Sequence, residues 1–232
     1  MVLSRKNFAA AMASLALITG LAMPVQAANV YHFGISDQRT NITFQSETDF
    51  ETVLGSTRKI TGTATADFDQ GSAEISVTVP VASLQSGIEL RDEHLRSPMW
   101  LDAARFPEIS FVSSSSRKIG RDRWKISGTF TMHGVSRELT TTVRVRQIPA
   151  EMAQQAGLEA GDWIRVTVPF HVKLSDFGVK IPEMAAAKVS DTWEINIQAY
   201  ASTMSPKMAM NPCNPCGGMA AKKASNPINP CG

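Results

Sequence analysis

Residues 123–146, RWKISGTFTMHGVSRELTTTVRVR, contain two runs in which apolar and polar side chains alternate. Trp124 and Phe130 share one face of the first run, and Val143 lies on the apolar face of the second. Successive side chains of a β-strand point to opposite faces, so each run is typical of a strand with one buried face. Gly134 between them tolerates the positive φ of a tight turn. The segment therefore predicts an antiparallel β-hairpin.

The same alternation continues on both sides of this hairpin, and Asp69-Gln70-Gly71 supplies a second turn. The longest helical candidate, residues 150–158, is short and only modestly apolar. A sheet of about eight strands with one apolar face and no helical layer must pack on another sheet or close on itself. The sequence thus predicts an all-β domain over residues 28–202. Clear strand patterns fall at 74–81, 164–173 and 193–198, and weaker ones at 30–35, 41–46, 58–68 and 108–114.

One segment interrupts the strands: residues 91–111, RDEHLRSPMWLDAARFPEISF. Its first half predicts a charged helical turn, and its second half an apolar lid in which Trp100, Leu101 and Phe106 face inward. In one interpretation Arg91, His94 and Arg96 form a polar mouth that meets a phosphate or other polar head group. In the other, the charged turn is a salt-bridged brace that holds the loop on the barrel rim. Both interpretations stay open at this point.

Four short motifs resemble those of the YceI-like family of bacterial periplasmic lipid-binding proteins. They are RDEHL at 91–95, FPEISF at 106–111, FTMHGV at 130–135 and LSDFGV at 174–179. The resemblance spans roughly residues 30–202. It implies a single antiparallel lipocalin-like β-barrel of about eight strands, with short helices over one rim. It also implies a polyisoprenoid ligand, such as an isoprenoid quinone or a polyprenyl phosphate.

An apolar barrel interior favours a long-chain ligand. Burial yields roughly 0.8 kcal/mol per CH₂ group, whereas association costs on the order of 4 to 15 kcal/mol, so a chain beyond about ten carbons is needed. The same apolar residues could equally fill a solid core. The predicted ligand-binding set combines inward apolar residues of the strands with residues of the rim segment and two residues of the LSDFGV motif. It consists of Phe44, Ile75, Val77, Arg91, His94, Arg96, Trp100, Trp124, Phe130, Val166, Phe170, Asp176, Phe177 and Ile195.

Enzymatic and nucleic-acid-binding signatures are missing from the sequence. It has no GxSxG, HExxH, Walker or GxGxxG motif, and its four histidines fall in separate elements. The formal net charge of +2 equals the charge of Arg5 and Lys6, which leaves the remaining chain balanced. Such a chain lacks the basic face that nucleic acids require. A non-enzymatic binding protein is therefore predicted.

The two ends of the chain differ from its body. Residues 1–27 combine Arg5 and Lys6 with an apolar run and a small-residue cleavage site, the pattern of a secretory signal peptide. This predicts a periplasmic protein, and the run is too short for stable membrane insertion. Residues 203–232 are rich in Pro, Gly, Ala and Asn, a composition typical of disorder.

This tail repeats Asn-Pro-Cys and carries Cys213, Cys216 and Cys231 near several methionines. Thiolate and thioether groups are soft ligands suited to Cu(I), so the alternative function is a copper-handling or redox protein that acts through the tail. Cysteine and methionine in a low-complexity segment do not by themselves define a coordination geometry. A plain flexible tail with one disulfide is favoured over a metal site. Its odd thiol could crosslink two chains into a homodimer.

Overall fold

The computed structural model describes residues 28–205, which form ten antiparallel β-strands and two short α-helices. No helix among these residues is long and apolar enough to cross a membrane. The helices are α1 (Glu89–Arg96) and α2 (Ala150–Gln155), and short 3-10 turns cover Val81–Ser83, Leu174–Phe177 and Glu183–Ala185. The strands are β1 (Asn29–Phe33), β2 (Asn41–Glu47), β3 (Thr52–Thr57), β4 (Thr61–Asp67), β5 (Ser72–Pro80), β6 (Glu108–Lys118), β7 (Arg123–Met132), β8 (Val135–Ile148), β9 (Trp163–Lys173) and β10 (Thr192–Ser202).

The sheet closes into a barrel with eight strand positions. From β4 to β10 each strand pairs with the next, and β1 lies between β4 and β10 and closes the ring. The closing contacts pair Phe33 with Ala201 and His32 with Ser202. Farther along β10, Ile195 pairs with Phe44 of β2, so β1 and β2 run along β10 as one interrupted strand. The predicted eight-stranded antiparallel barrel is confirmed.

A glycine marks each interrupted strand. Gly34 directly follows β1 with φ +85°, and Gly62, with φ +129°, is the second residue of β4, which continues the line of β3. A Cβ atom on Gly62 would lie 2.1 Å from the Ser76 carbonyl oxygen of β5, so only glycine fits there without moving the backbone. Strand β3 was missed in the sequence analysis, which placed a strand at 58–68. Residues 58–60 instead lie outside any strand, between β3 and β4.

Both predicted hairpin turns are present. His133 and Gly134 have φ +52° and +72°, which is the geometry of a two-residue turn between β7 and β8. Gly71, with φ +72°, follows β4 and precedes β5. The predicted helix at 150–158 is shorter than expected, since α2 ends at Gln155 and Gly157 then adopts φ +68°.

The buried side chains of the described residues form three clusters in different parts of the barrel. One cluster includes Leu101 and Phe177 and lies beneath α1 and its following loop. A second includes Tyr31 and Ile164, and a third is built on Trp124. The face alternation predicted for β7 is confirmed, because its residues are buried at every second position. Between these clusters the interior is lined by apolar side chains without being filled.

Tyr31 should make the fold sensitive to alkaline pH. Burial raises the pKa of its hydroxyl above the usual 10.0, opposed by a side-chain hydrogen bond with Asn29. A group whose pKa is raised by folding stabilises the fold fully below its unfolded pKa and loses that contribution as pH rises toward the folded pKa. Stability should therefore fall above pH 10. Urea unfolding of wild type and Tyr31→Phe between pH 8 and 11 measures this, and an equal fall in both proteins would contradict it.

Candidate ligand cavity

Three apolar cavities formed by residues 28–205 adjoin one another inside and above the barrel. The deep cavity measures about 130 Å³, the inner cavity about 110 Å³ and the mouth cavity about 340 Å³. The deep and inner cavities share Val79, Ile109 and Ile197 among their walls. The inner and mouth cavities share Leu95 and Trp193. The three spaces therefore follow one another from the rim inward.

The deep cavity lies among the inward faces of strands β4 to β10. Of its lining residues only Ser110 and Thr141 have polar side chains apart from the indole of Trp124. Several lining positions carry alanine, including Ala64, Ala66 and Ala199. Alanine leaves space where a larger residue would reach across the barrel. An apolar cavity of this kind stays dry and favours an apolar ligand.

The mouth cavity lies between α1 and residues 183–189, at the protein surface. Its lining includes Ile88, Leu90 and Met184, which are 53%, 62% and 87% exposed. The mouth also carries the charged or titratable side chains of Glu51, Arg91, His94 and Lys188. Polar groups that a head group could contact thus surround an apolar entrance.

Hydrogen bonds hold α1 on the rim. The buried carboxylate of Asp92 accepts hydrogen bonds from the Ser86 backbone N–H and hydroxyl, both at 2.6 Å. Arg91 donates to the Ser86 hydroxyl at 3.0 Å and pairs with Glu51 at 3.2 Å. The charged turn is therefore a brace, and the same helix also forms part of the mouth through Arg91 and His94. The two interpretations of this segment are compatible.

Most of the predicted ligand-binding residues meet at these cavities. Arg91 and His94 line the mouth, and Trp100 lines both the mouth and the inner cavity. Phe44 also borders those two spaces, while Phe130 and Phe170 border the inner and deep cavities. Ile195 lines the inner cavity. The remaining apolar members of the predicted set line the deep cavity: Ile75, Val77, Trp124 and Val166.

Three predicted residues lie elsewhere. Arg96 does not line the cavities, and its guanidinium donates to the Ala82 carbonyl at 3.5 Å. Asp176 and Phe177 line a separate pocket of about 480 Å³ together with residues of β8 and β9, among them Arg137 and His171. Their assignment to the ligand site stays a prediction, and their contacts favour a structural role.

The FPEISF, FTMHGV and LSDFGV motifs meet in one corner of the barrel. Phe106 packs edge-on against the His133 ring with 4.7 Å between centroids, and His133 Nδ1 lies 3.1 Å from the Phe177 carbonyl oxygen. Phe177 in turn packs edge-on against Phe130 at 5.5 Å. Phe106 does not face the interior as predicted, because its ring packs over Gly134, where a Cβ atom would lie 2.4 Å away. These motifs join the rim loops to one another.

Other lining residues were not predicted from the sequence. Trp193 shares the inward face of β10 with Ile195, so strand periodicity could have identified it. Glu51, Met184 and Lys188 come from segments without a periodic pattern. They reach the mouth only because the barrel brings those segments together, and no sequence signal marks them.

Residues 28–205 contain no group of three His, Cys, Asp or Glu side chains that could hold a metal ion. Cys213, Cys216 and Cys231 lie outside the described residues, as does the predicted signal peptide at 1–27. The copper-site and homodimer hypotheses therefore remain predictions.

The fold and the cavities define a class: an antiparallel β-barrel that encloses an apolar space open at one rim. A family model described as the YceI-like domain matches residues 33–201. The chain belongs to this family. Protein YceI of Salmonella newport (strain SL254) is 28% identical over 172 residues, covering 72% of this chain and 83% of that protein.

Solved structures share the fold. BcnA of Burkholderia cenocepacia superposes with a TM-score of 0.63 at 20% identity, over 72% of this chain and 99% of that one. A polyisoprenoid-binding domain from Saccharophagus degradans, implicated in plant cell wall breakdown, has a TM-score of 0.57 at 17% identity. It covers 76% of this chain and 99% of its own. At these identities the likeness establishes the fold.

Proposed function

We propose that this protein is a non-enzymatic carrier that binds a long-chain isoprenoid-like lipid inside its barrel. The observation that carries the proposal is the succession of three apolar cavities from the rim to the barrel interior. A compact polar metabolite would leave its polar groups unpaired against such walls, at considerable cost. An extended hydrocarbon chain matches them.

The cavity sizes favour an extended ligand. A dry cavity of about 150 Å³ takes a benzene-sized molecule, and the deep and inner cavities, at about 130 and 110 Å³, are each of that order. A chain that occupies both in sequence can bury enough CH₂ groups, at roughly 0.8 kcal/mol each, to offset the cost of association.

The mouth suits a polar head group. Arg91, His94 and Lys188 offer donors there, while Glu51 pairs with Arg91. A quinone ring or a phosphate placed at this depth would meet donors and remain near water. The Saccharophagus degradans domain, described as polyisoprenoid-binding, supports the same ligand class. The signal-peptide pattern at 1–27 supports a periplasmic location.

Protein purified from its own host should carry a bound lipid. Native mass spectrometry should show an adduct that dissociates on organic extraction. Adding back the extracted lipid at about one hundred times its Kd should stabilise the delipidated protein by roughly 2.7 kcal/mol, measured by urea unfolding. A lipid-free protein that also fails to take up isoprenoid quinones, polyprenyl phosphates or acyl lipids would overturn the proposal.

A further inference from the structure

Trp193, whose side chain lines both the mouth and the inner cavity, carries a buried hydrogen-bond donor. Trp193 is 6% exposed, and its indole Nε1 has no hydrogen-bond partner among residues 28–205. Buried polar groups in folded proteins are almost always paired, so each exception requires an explanation. By contrast, the buried indole of Trp163 donates to the Glu159 carbonyl at 2.9 Å.

Trp193 stands where a ligand must pass. Its side chain lines both the mouth and the inner cavity, and its ring packs against Phe44 with 5.5 Å between centroids. Among the described residues that line the inner cavity, only Trp100 and Trp193 have a nitrogen or oxygen atom in the side chain. These described walls therefore offer no nitrogen or oxygen acceptor side chain of their own, and the Met132 thioether is only a weak acceptor.

We propose that the ligand carries a neutral carbonyl oxygen that accepts a hydrogen bond from Trp193 Nε1. This deepens the proposed function and depends on it. The indole N–H is only a donor, so it selects an acceptor. Its near-complete burial disfavours a charged phosphate at this depth, because removing a charge from water is costly. A lipid with a quinone or ketone carbonyl next to its isoprenoid chain satisfies both conditions.

The test compares an isoprenoid ketone with an isoprenoid hydrocarbon. Geranylgeranylacetone supplies a carbonyl, and squalene has none. Calorimetric titration of wild type and Trp193→Phe with both ligands isolates the N–H, because phenylalanine keeps an aromatic ring at this position. We expect about a tenfold loss of ketone affinity in Trp193→Phe and a change in squalene affinity that stays within about twofold.

Trp100→Phe is the matched control, since it trims an indole from the same two cavities. It should change the binding of both ligands by similar factors. A loss specific to the ketone in Trp100→Phe but not in Trp193→Phe would assign the carbonyl to the other indole and overturn the proposal. Equal losses for both ligands in Trp193→Phe would overturn it as well.

The indole signals give a second readout that does not depend on affinity. In a ¹H–¹⁵N spectrum the Trp193 Nε1–H signal, assigned by its absence in Trp193→Phe, should move downfield with the ketone and stay in place with squalene. If neither ligand binds the wild type but another long-chain lipid does, the function stands and this inference fails; if the protein takes up no isoprenoid quinone, polyprenyl phosphate or acyl lipid either, the proposed function fails. If both bind and the Trp193 signal responds to neither, the function stands and this inference fails.

Discussion

Ile197→Trp should shorten the ligand that the barrel accepts, with a loss of squalene affinity of about a thousandfold. Ile197 lines both the inner and the deep cavity, so an indole there fills the passage between them. Excluding about five carbons from the deep cavity, at roughly 0.8 kcal/mol per CH₂, removes about 4 kcal/mol of binding free energy. Calorimetric titration measures this loss directly.

Two controls separate blockage from general damage. Glu194→Trp places the same side chain on an exposed position of β10 and should leave squalene binding unchanged. Geranylacetone, a short isoprenoid ketone, needs only the mouth and inner cavities and should keep its affinity for Ile197→Trp to within a few fold. Unchanged squalene affinity in a folded Ile197→Trp protein would mean that the chain does not enter the deep cavity.

Strand periodicity predicted most of the barrel, and the exceptions have a physical cause. Strand β3 was missed because its buried positions are Val53, Gly55 and Thr57, of which only one is a large apolar residue. Gly55 is required because the Phe44 ring of β2 lies over it, and a Cβ atom there would lie 2.1 Å from Phe44 Cζ. That contact belongs to tertiary packing, which a one-dimensional pattern does not contain.

The periodicity of the strands also could not predict that the barrel interior is hollow. Alternation predicts which side chains point inward, but filling depends on their volumes across a closed ring. Ala64, Ala66 and Ala199 on the inward faces leave part of the interior unfilled, but alternation alone does not distinguish them from larger inward residues, so the sequence left a cavity and a solid core equally open. The charged turn at 91–96 braces the rim through Asp92, while Arg91 and His94 of the same helix lie beside the mouth. Both interpretations of this segment are therefore compatible with the structure, and contact with a head group stays a prediction.

Phe177→Ala should lower the free energy of unfolding by about 3 to 5 kcal/mol, with Tm falling on the order of 10 °C. Phe177 is 4% exposed and lies outside the three cavities. It joins the motif corner through its ring, against Phe130, and through its carbonyl, which lies 3.1 Å from His133 Nδ1. Thermal and urea unfolding measure the loss, and Phe177→Leu offers a milder variant should the alanine variant not fold.

Phe170→Ala is the matched comparison, because Phe170 also packs edge-on against Phe130, with 5.7 Å between ring centroids. Phe170 lines the inner and deep cavities, so part of its ring faces empty space and its removal should destabilise the fold less. It should instead lower squalene affinity by about tenfold, since the ligand loses an aromatic wall. Affinity per folded molecule should stay near wild type in Phe177→Leu. The reverse pattern, with binding lost at Phe177 and stability lost at Phe170, would place the ligand in the motif corner and outside the three cavities.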